Sequence, residues 1–217
     1  MAVRIGVVAP MLITIDPMGA AFDEIWPEAE HLAIADETLY ADFAGGRPIT
    51  DETYSRVSDL LHYAATTRCD GLVFTGSVFG DPVARARQDI KIPVLTSYEA
   101  MIEEAFEAGT RFAILSTAQG SMTNLSADLE AEAKRRGVGI TIDGHVAAEA
   151  RPPILAGDIE THDRIVVDAA AQMTGCDCLM FAQVSMGLTA KKVANVPGRP
   201  VLTAPEATVR KFKRLLG

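Results

Sequence analysis

The sequence repeats itself once, at a constant spacing. "RIGVVAP" from Arg4 returns as "RFAILST" from Arg111, "LVFTGSVFG" from Leu72 as "LMFAQVSMG" from Leu179, and "PVLTSYEA" from Pro93 as "PVLTAPEA" from Pro200, each 107 residues later. Cys69-Asp70 and Cys176-Asp177, Asp36 and Asp143, Asp51 and Asp158, and Gly80 and Gly187 keep the same offset without a gap. Two copies in 217 residues mean a duplicated domain and not a solenoid, which needs more units to bury its core.

Inside each copy, short continuous apolar runs alternate with amphipathic stretches. In the first copy the pattern predicts strands near 3–9, 31–35, 71–75 and 92–96 and helices near 18–29, 51–67 and 80–88, and the second copy repeats this from 111. Strands that are apolar throughout belong to parallel sheets covered on both faces. The expected class is therefore α/β, with two pseudo-symmetric flavodoxin-like domains, each a parallel sheet flanked by helices. "SYEAMIEEAFEAG" and "APEATVRKFKRLLG" follow the last strand of each copy, and the terminal helix is expected to return to the first half. That places one domain at 1–97 plus 205–217 and the other at 98–204.

Open α/β sheets take their ligands beyond the carboxyl ends of the strands. A cleft between the two domains would then be lined by six loops. After the first strands come Pro10 and Thr14, and Ser116, Thr117 and Ser121. After the third strands come Thr75, Gly76, Ser77 and Val78, and Ala182, Gln183, Val184 and Ser185. The second-strand loops, "ADETLYADFAGGRP" and "DGHVAAEARPP", add Arg47 and Arg151, each read as a surface cation, and His145, opposite Thr38 in the repeat. Hydroxyls and N–H groups at helix starts suit a carboxylate, and the same hydroxyls also suit simple helix capping. His31, His62 and His162 are assigned structural roles. His145, on the expected rim, is placed to titrate near neutral pH, with a satisfied surface histidine as the simpler account.

Charge and cysteine usage narrow the partners. With 29 acidic against 20 basic residues the net charge is −9, which counts against nucleic acid as the partner. The basic tail from Arg210 to Arg214 reads as a solvated helix face. No run reaches the roughly 20 apolar residues of a membrane helix, and "MAVRIGVVAP" lacks the layout of a cleavable signal. The expected location is cytoplasmic, with no membrane partner. Cys69, Cys176 and Cys178 are an odd count, expected to be free thiols. "CDC" lacks zinc-ligand spacing, and no GxGxxG, GxxxxGK[ST], HExxH or GxSxG motif is present, so neither metal nor cofactor is expected. Apolar outer helices such as "AMIEEAFEAG" permit a homo-oligomer.

The paired strand endings "LVFTGS" and "LMFAQVSM", with "RIGVVAP", "IPVLTSYEAM", "THDR" and "PVLTAPEA", resemble the aspartate/glutamate/hydantoin racemase family over nearly the whole chain. That family also includes maleate isomerases and arylmalonate decarboxylases. The resemblance implies a cofactor-independent protein that binds a small carboxylate (an amino acid, a hydantoin or a malonate-like acid) between two domains. Family racemases place one cysteine at each third-strand end, one thiolate taking the α-proton and the other thiol returning it. Here those positions hold Gly76 and Gln183, and neither side chain transfers protons. A glycine also occupies the first position in the arylmalonate decarboxylases, which keep the second cysteine. This chain keeps neither, so its catalytic residues are not identified by the resemblance. What carries over is the binding half: Ser77 and Ser185 with their neighbouring N–H groups, closed by Thr14, Thr117 and Ser121. The Gln183 amide is expected to donate to a carboxylate or carbonyl, and Gly76 to leave room for a larger substituent or a water. Two functions remain open: isomerase, racemase or decarboxylase chemistry without two thiols, or a silent carboxylate-binding or regulatory member.

Overall fold

Strand register sets the architecture. In the computed structural model, which describes residues 2–193 and 199–217, β1 (Arg4–Ala9) pairs in parallel with β2 (Glu30–Ala35) and with β3 (Gly71–Phe74), and β3 pairs with β4 (Val94–Leu95). The strands β5 (Arg111–Ser116), β6 (Thr141–Val146), β7 (Cys178–Phe181) and β8 (Val201–Thr203) repeat this arrangement. Two four-stranded sheets result, ordered β2-β1-β3-β4 and β6-β5-β7-β8. The helices are α1 (Ile15–Ile25), α2 (Glu37–Ala44), α3 (Asp51–Thr66), α4 (Gly80–Ala86), α5 (Glu99–Ala108), α6 (Gln119–Arg136), α7 (Arg151–Leu155), α8 (Ile159–Gln172), α9 (Gly187–Val193) and α10 (Ala204–Leu216). The chain divides into two compact units, Met1–Glu99 with Thr208–Gly217, and Ala100–Ala207.

In the first unit the period-2 alternation of β1 and β3 sends side chains to two covered faces. Val8, Leu72 and Phe74 pack with Val57, Leu61 and Ala64 of α3 and with Val83 and Ala86 of α4. On the opposite face Phe212 of α10 is fully buried. Its ring lies 2.7 Å from where a Cβ on Gly71 would stand, with Ile5 beside it. The missing side chain at 71 thus clears the sheet surface for Phe212, whose burial contributes about 1.5–3 kcal/mol. Lys211 pairs with Glu99 at 3.2 Å, and Lys213 donates to the Ile25 carbonyl at 2.8 Å, fixing the basic face of the same helix.

The second unit buries Leu115, Leu179 and Phe181 with Val166 and Ala170 of α8 and with Ala190 and Val193 of α9. Here the constant offset breaks at one place. Arg4 stands opposite Glu30, but Arg111 stands opposite Thr141, so the second strand arrives four positions later than the repeat requires. The cause is helix length: α1 has 11 residues and α6 has 18. The shift is recovered before α8, where the eight-residue α2 is answered by a single turn at Ala148–Ala150 and the five-residue α7. Asp36 and Asp143 are therefore not structural counterparts. Asp36 caps α2, accepting the Thr38 N–H at 3.0 Å, while Asp143 lies within β6. His145 is likewise not opposite Thr38. It faces Leu115 across the ladder, as Ile34 faces Val8, inside a strand and exposed.

Two boundaries also differ from expectation. The helix expected at 18–29 runs from Ile15 to Ile25, because the 3-10 turn Leu12–Thr14 leads straight into it, and Pro27 disfavours helical backbone at Trp26. The loop "ADETLYADFAGGRP" contains α2, with Asp36 as its N-cap, Leu39 buried and Phe43 packed on the core, and Gly45-Gly46 at its end.

Candidate functional site

The carboxyl end of the first sheet is closed by its own hydroxyls. Thr75 donates its N–H to the Val8 carbonyl at 3.0 Å, continuing the β1–β3 ladder by one residue. Thr14 Oγ1 lies 2.8 Å from the Met11 carbonyl and 2.7 Å from Thr75 Oγ1. A carbonyl only accepts, so Thr14 donates to Met11, and Thr75 donates to Thr14. Both threonines are buried, and both hydroxyl protons are used internally.

Gly76 follows, with φ −99° and ψ 99°. A Cβ here would stand 2.5 Å from Pro10 Cγ, 2.8 Å from Phe79 Cδ2 and 3.0 Å from Phe74 Cε1. The expectation of spare room at Gly76 is therefore wrong on its side-chain side, because rigid rings fill that space. Ser77 opens the 3-10 turn Ser77–Phe79 half-buried, with Val78 half-buried next to it. The Ser77 hydroxyl takes no partner among the described residues, and the first N–H groups of such a turn have none within it.

The second sheet ends on the same backbone hydrogen bonds with different side chains. Ala182 donates its N–H to the Leu115 carbonyl at 2.9 Å, as Thr75 does to Val8. Gln183 then sends its side chain back to the turn after β5. Its Oε1 accepts from the Thr117 N–H at 2.6 Å and from Thr117 Oγ1 at 2.9 Å, with Ser116 Oγ at 3.2 Å. A backbone N–H can only donate, so the atom it meets is the amide oxygen, and this fixes which way the amide faces. Nε2 is left with two N–H donors and no partner among the described residues. Ser185 is half-buried with an uncommitted hydroxyl, whereas Val184 is buried.

The remaining site residues separate into open and closed ones. Ser116 is fully buried and also lies 2.8 Å from the Ala118 carbonyl, so its hydroxyl holds the turn. Pro10 is buried against Gly76. Ser121 is half-buried in the first turn of α6, whose N-cap is Ala118 with no side-chain cap bond. The 3-10 turns that begin after Gly76 and Gln183 also lack side-chain caps, so capping does not account for Ser77, Ser121 or Ser185. Glu37 was not singled out in the sequence, yet its carboxylate accepts the Leu12 N–H at 3.3 Å in the turn after β1. No sequence pattern marks that contact, which depends on α2 being helical.

The three cysteines lie at or ahead of the amino ends of their strands. Cys178, the first residue of β7, is fully buried, and burial pushes its thiol up to about 12. Cys69 is buried before β3, and Cys176 is half-buried before β7, both ahead of the amino ends of their strands. His162 is buried and donates from Nδ1 to the Ala150 carbonyl at 2.9 Å, which ties α8 to the turn before α7. Its Nε2 has no partner among the described residues. Arg47 is exposed and pairs with Asp42, which also receives Arg56. Arg151 begins α7, half-buried. Among the described residues, no cluster of three or more His, Cys, Asp or Glu is placed to hold a metal, and no helix is long and apolar enough to cross a membrane.

Comparison with solved structures shows the fold. An allantoin racemase from Klebsiella pneumoniae matches with TM-score 0.70 at 23% identity, covering 99% of this chain and 88% of that one. A glutamate racemase from Bacillus anthracis matches at 0.69 and 13% identity, covering 99% and 81%. A Picrophilus torridus aspartate racemase matches at 0.72 and 11% identity, covering 98% and 94%. No curated protein matches the chain. The model of the Asp/Glu/hydantoin racemase family matches residues 19–212, which contain both sheets but for β1 and nearly every strand-end residue described above. With duplicated sheets, unpartnered donors at the strand ends and a family match over most of its length, the chain belongs to the Asp/Glu/hydantoin racemase family.

Proposed function

We propose that this protein binds a small carboxylate at the carboxyl-end turns of its sheets and does not racemise it with two thiols. The observation that carries the reading is Gln183. Its amide oxygen is held by the Thr117 N–H and hydroxyl, which leaves Nε2 as a preorganised donor at the strand end. Preorganisation matters because a donor already oriented loses little entropy when the ligand arrives. Ser185 and Ser121, at the ends of the same sheet, add uncommitted hydroxyls. No member of this set is a thiol or another group that titrates near neutrality.

One observation also favours turnover. Donors fixed before the reaction stabilise negative charge as it develops on a carboxylate or enolate oxygen, which is the need of a decarboxylation or isomerisation that lacks the thiol pair. Ligand-induced thermal stabilisation, measured beside α-deuterium exchange and carbon dioxide release over a panel of small carboxylates, separates the two readings. Stabilisation is expected in either case, and alkylation of the accessible thiol is expected to change nothing. Absence of stabilisation by every acid in the panel would overturn the binding reading. Turnover abolished by alkylation would overturn the thiol-independent one.

A further inference from the structure

The open edge of the second sheet is complementary to itself. Independently of the carboxylate reading, we infer that the protein forms a two-fold dimer in which β6 pairs antiparallel with β6 of a second copy. The axis passes by Gly144, and Asp143 of each copy stands opposite the partner's His145.

β6 is an outermost strand of its sheet. The Thr141 N–H goes to the Thr110 carbonyl at 3.0 Å and the Ala147 N–H to the Ser116 carbonyl at 2.8 Å. Alternate residues of a parallel strand face a given neighbour. Thr141, Asp143 and His145 therefore give their backbone groups to β5, and Ile142, Gly144 and Val146 turn theirs to the open edge. Among the described residues, no hydrogen bond reaches those outward groups. A row of unpaired N–H and C=O groups is satisfied by another extended strand.

The side chains select which strand. With Gly144 opposite the partner's Gly144, Ile142 faces the partner's Val146, and every outward N–H and carbonyl of both copies finds a partner. In that register Asp143 and the partner's His145 fall in the closely spaced, non-hydrogen-bonded pairs. Both side chains are exposed on one face of β6, and neither has a partner among the described residues. An imidazole N–H donates to a carboxylate whether or not the ring is charged. A shift of the axis by one residue sets Asp143 against Asp143 or His145 against His145, and a shift by two carries part of the strand past its partner's end. The first unit has no such pattern. Leu32 and Ile34 hold the places of Asp143 and His145 there, with Ile34 packed on the core. Self-pairing of β2 about Ala33 would oppose Glu30 to the partner's Asp36, like charge to like. In the antiparallel joint, the turns after β5 and β7 of the two copies lie at opposite ends of the combined sheet.

Charge exchange across the axis tests the joint. Sedimentation equilibrium of the full chain should show dimers and nothing larger, because a two-fold joint uses the same patch on both copies and closes. Asp143→Lys sets a donor against the partner's His145, and His145→Glu sets two carboxylates against each other. Each substitution counts twice about the axis and should raise the dimer dissociation constant by about tenfold or more. The double variant Asp143→Lys with His145→Glu restores opposite charges and should return the constant to within about threefold of the parent. Gly144→Pro removes the outward N–H at the axis, which β5 does not use, and should leave monomers alone. A Cβ at 144 would stand 3.0 Å from Sδ of the flexible Met122 side chain. If the proline variant does not fold, the charge variants, all at exposed positions, decide the matter. A parent that is monomeric at every concentration would overturn the inference. So would larger assemblies, single variants that dimerise like the parent, or a double variant as weak as the singles. None of these results touches the carboxylate reading.

Discussion

The turns after β3 and β7 share their backbone hydrogen bonds and differ in the side chains they carry. Both continue their ladder by one N–H, and both close a 3-10 turn by an N–H to carbonyl bond, Phe79 to Gly76 at 3.0 Å and Met186 to Gln183 at 3.1 Å. At the position between, the first sheet has a glycine boxed in by Pro10, Phe74 and Phe79, and the second has a glutamine anchored on Thr117. These choices are coupled. Pro10 and Thr117 are repeat mates, and proline has no N–H to offer. A glutamine at 76 would lack the backbone donor that orients Gln183, and a proline at 117 would release it. The two ends of the duplication have thus diverged as residue pairs. One end is packed shut, and the other keeps a directed polar group.

The first way to break this comparison is to put the family's thiol into the packed end. Gly76→Cys adds a Cβ at 2.5 Å from Pro10 and 2.8 Å from Phe79, neither of which is the loose end of a flexible chain. It should lose about 3 kcal/mol, near the upper end for overpacking, read from urea denaturation. Deuterium exchange at an α-carbon should not appear. A folded variant of parent stability would show that the rings move aside and that the end is open after all.

A smaller effect is expected from the threonine pair. Thr14→Val removes the acceptor for the Thr75 hydroxyl and the donor to Met11, inside a buried site. The cost should be about 1–2 kcal/mol, with carboxylate affinity unchanged. At the other end, Thr117→Val removes one of the donors to Gln183 Oε1 but leaves the backbone N–H in place. Stability should fall by about 1 kcal/mol or less, and ligand affinity should fall with it. The contrast between the two variants is the test: affinity lost in Thr14→Val and kept in Thr117→Val would invert the assignment of a closed and an open end.

Much of this was legible in the sequence, for a physical reason. Buried parallel strands are apolar throughout and end abruptly, so "LVFTGS" and "LMFAQVS" marked the sheet class and the strand ends together. The part that was not legible concerns where atoms point. A glycine implies space until the neighbours are known, and here Pro10, 66 residues away in the chain, takes that space. The constant offset implied that His145 matched Thr38, but helix length is free to vary where solvent absorbs the extra turn, and the longer α6 shifted β6. The helical "DETLYADFA" was marked by its Asp cap and the terminal glycines, which the loop reading passed over.

The smallest expected effect lies at the amino ends of the same strands, where the repeat mates Asp70 and Asp177 have also diverged. Asp70 accepts the Arg4 N–H at 2.8 Å, while the Arg4 guanidinium goes to Glu30, its register partner on β2. Arg111 has Thr141 in that register place, so its guanidinium turns to Asp177, which also accepts the Thr110 and Arg111 N–H groups at 2.9 Å each. The Arg111 side chain and these N–H groups hold the Asp177 carboxyl down to about 2. An ordinary aspartate titrates at about 4, so the unfolded chain takes up this proton first as pH falls. The stabilisation from Asp177 is therefore complete above about pH 4 and is lost progressively towards pH 2. Asp177→Asn should flatten the fall of melting temperature over that window and leave it unaltered above pH 5. Some slope should remain, because Arg135 and Arg136 hold Glu132 down to about 2 as well. A melting temperature that falls as steeply in Asp177→Asn as in the parent would show that this carboxylate does not set the acid response.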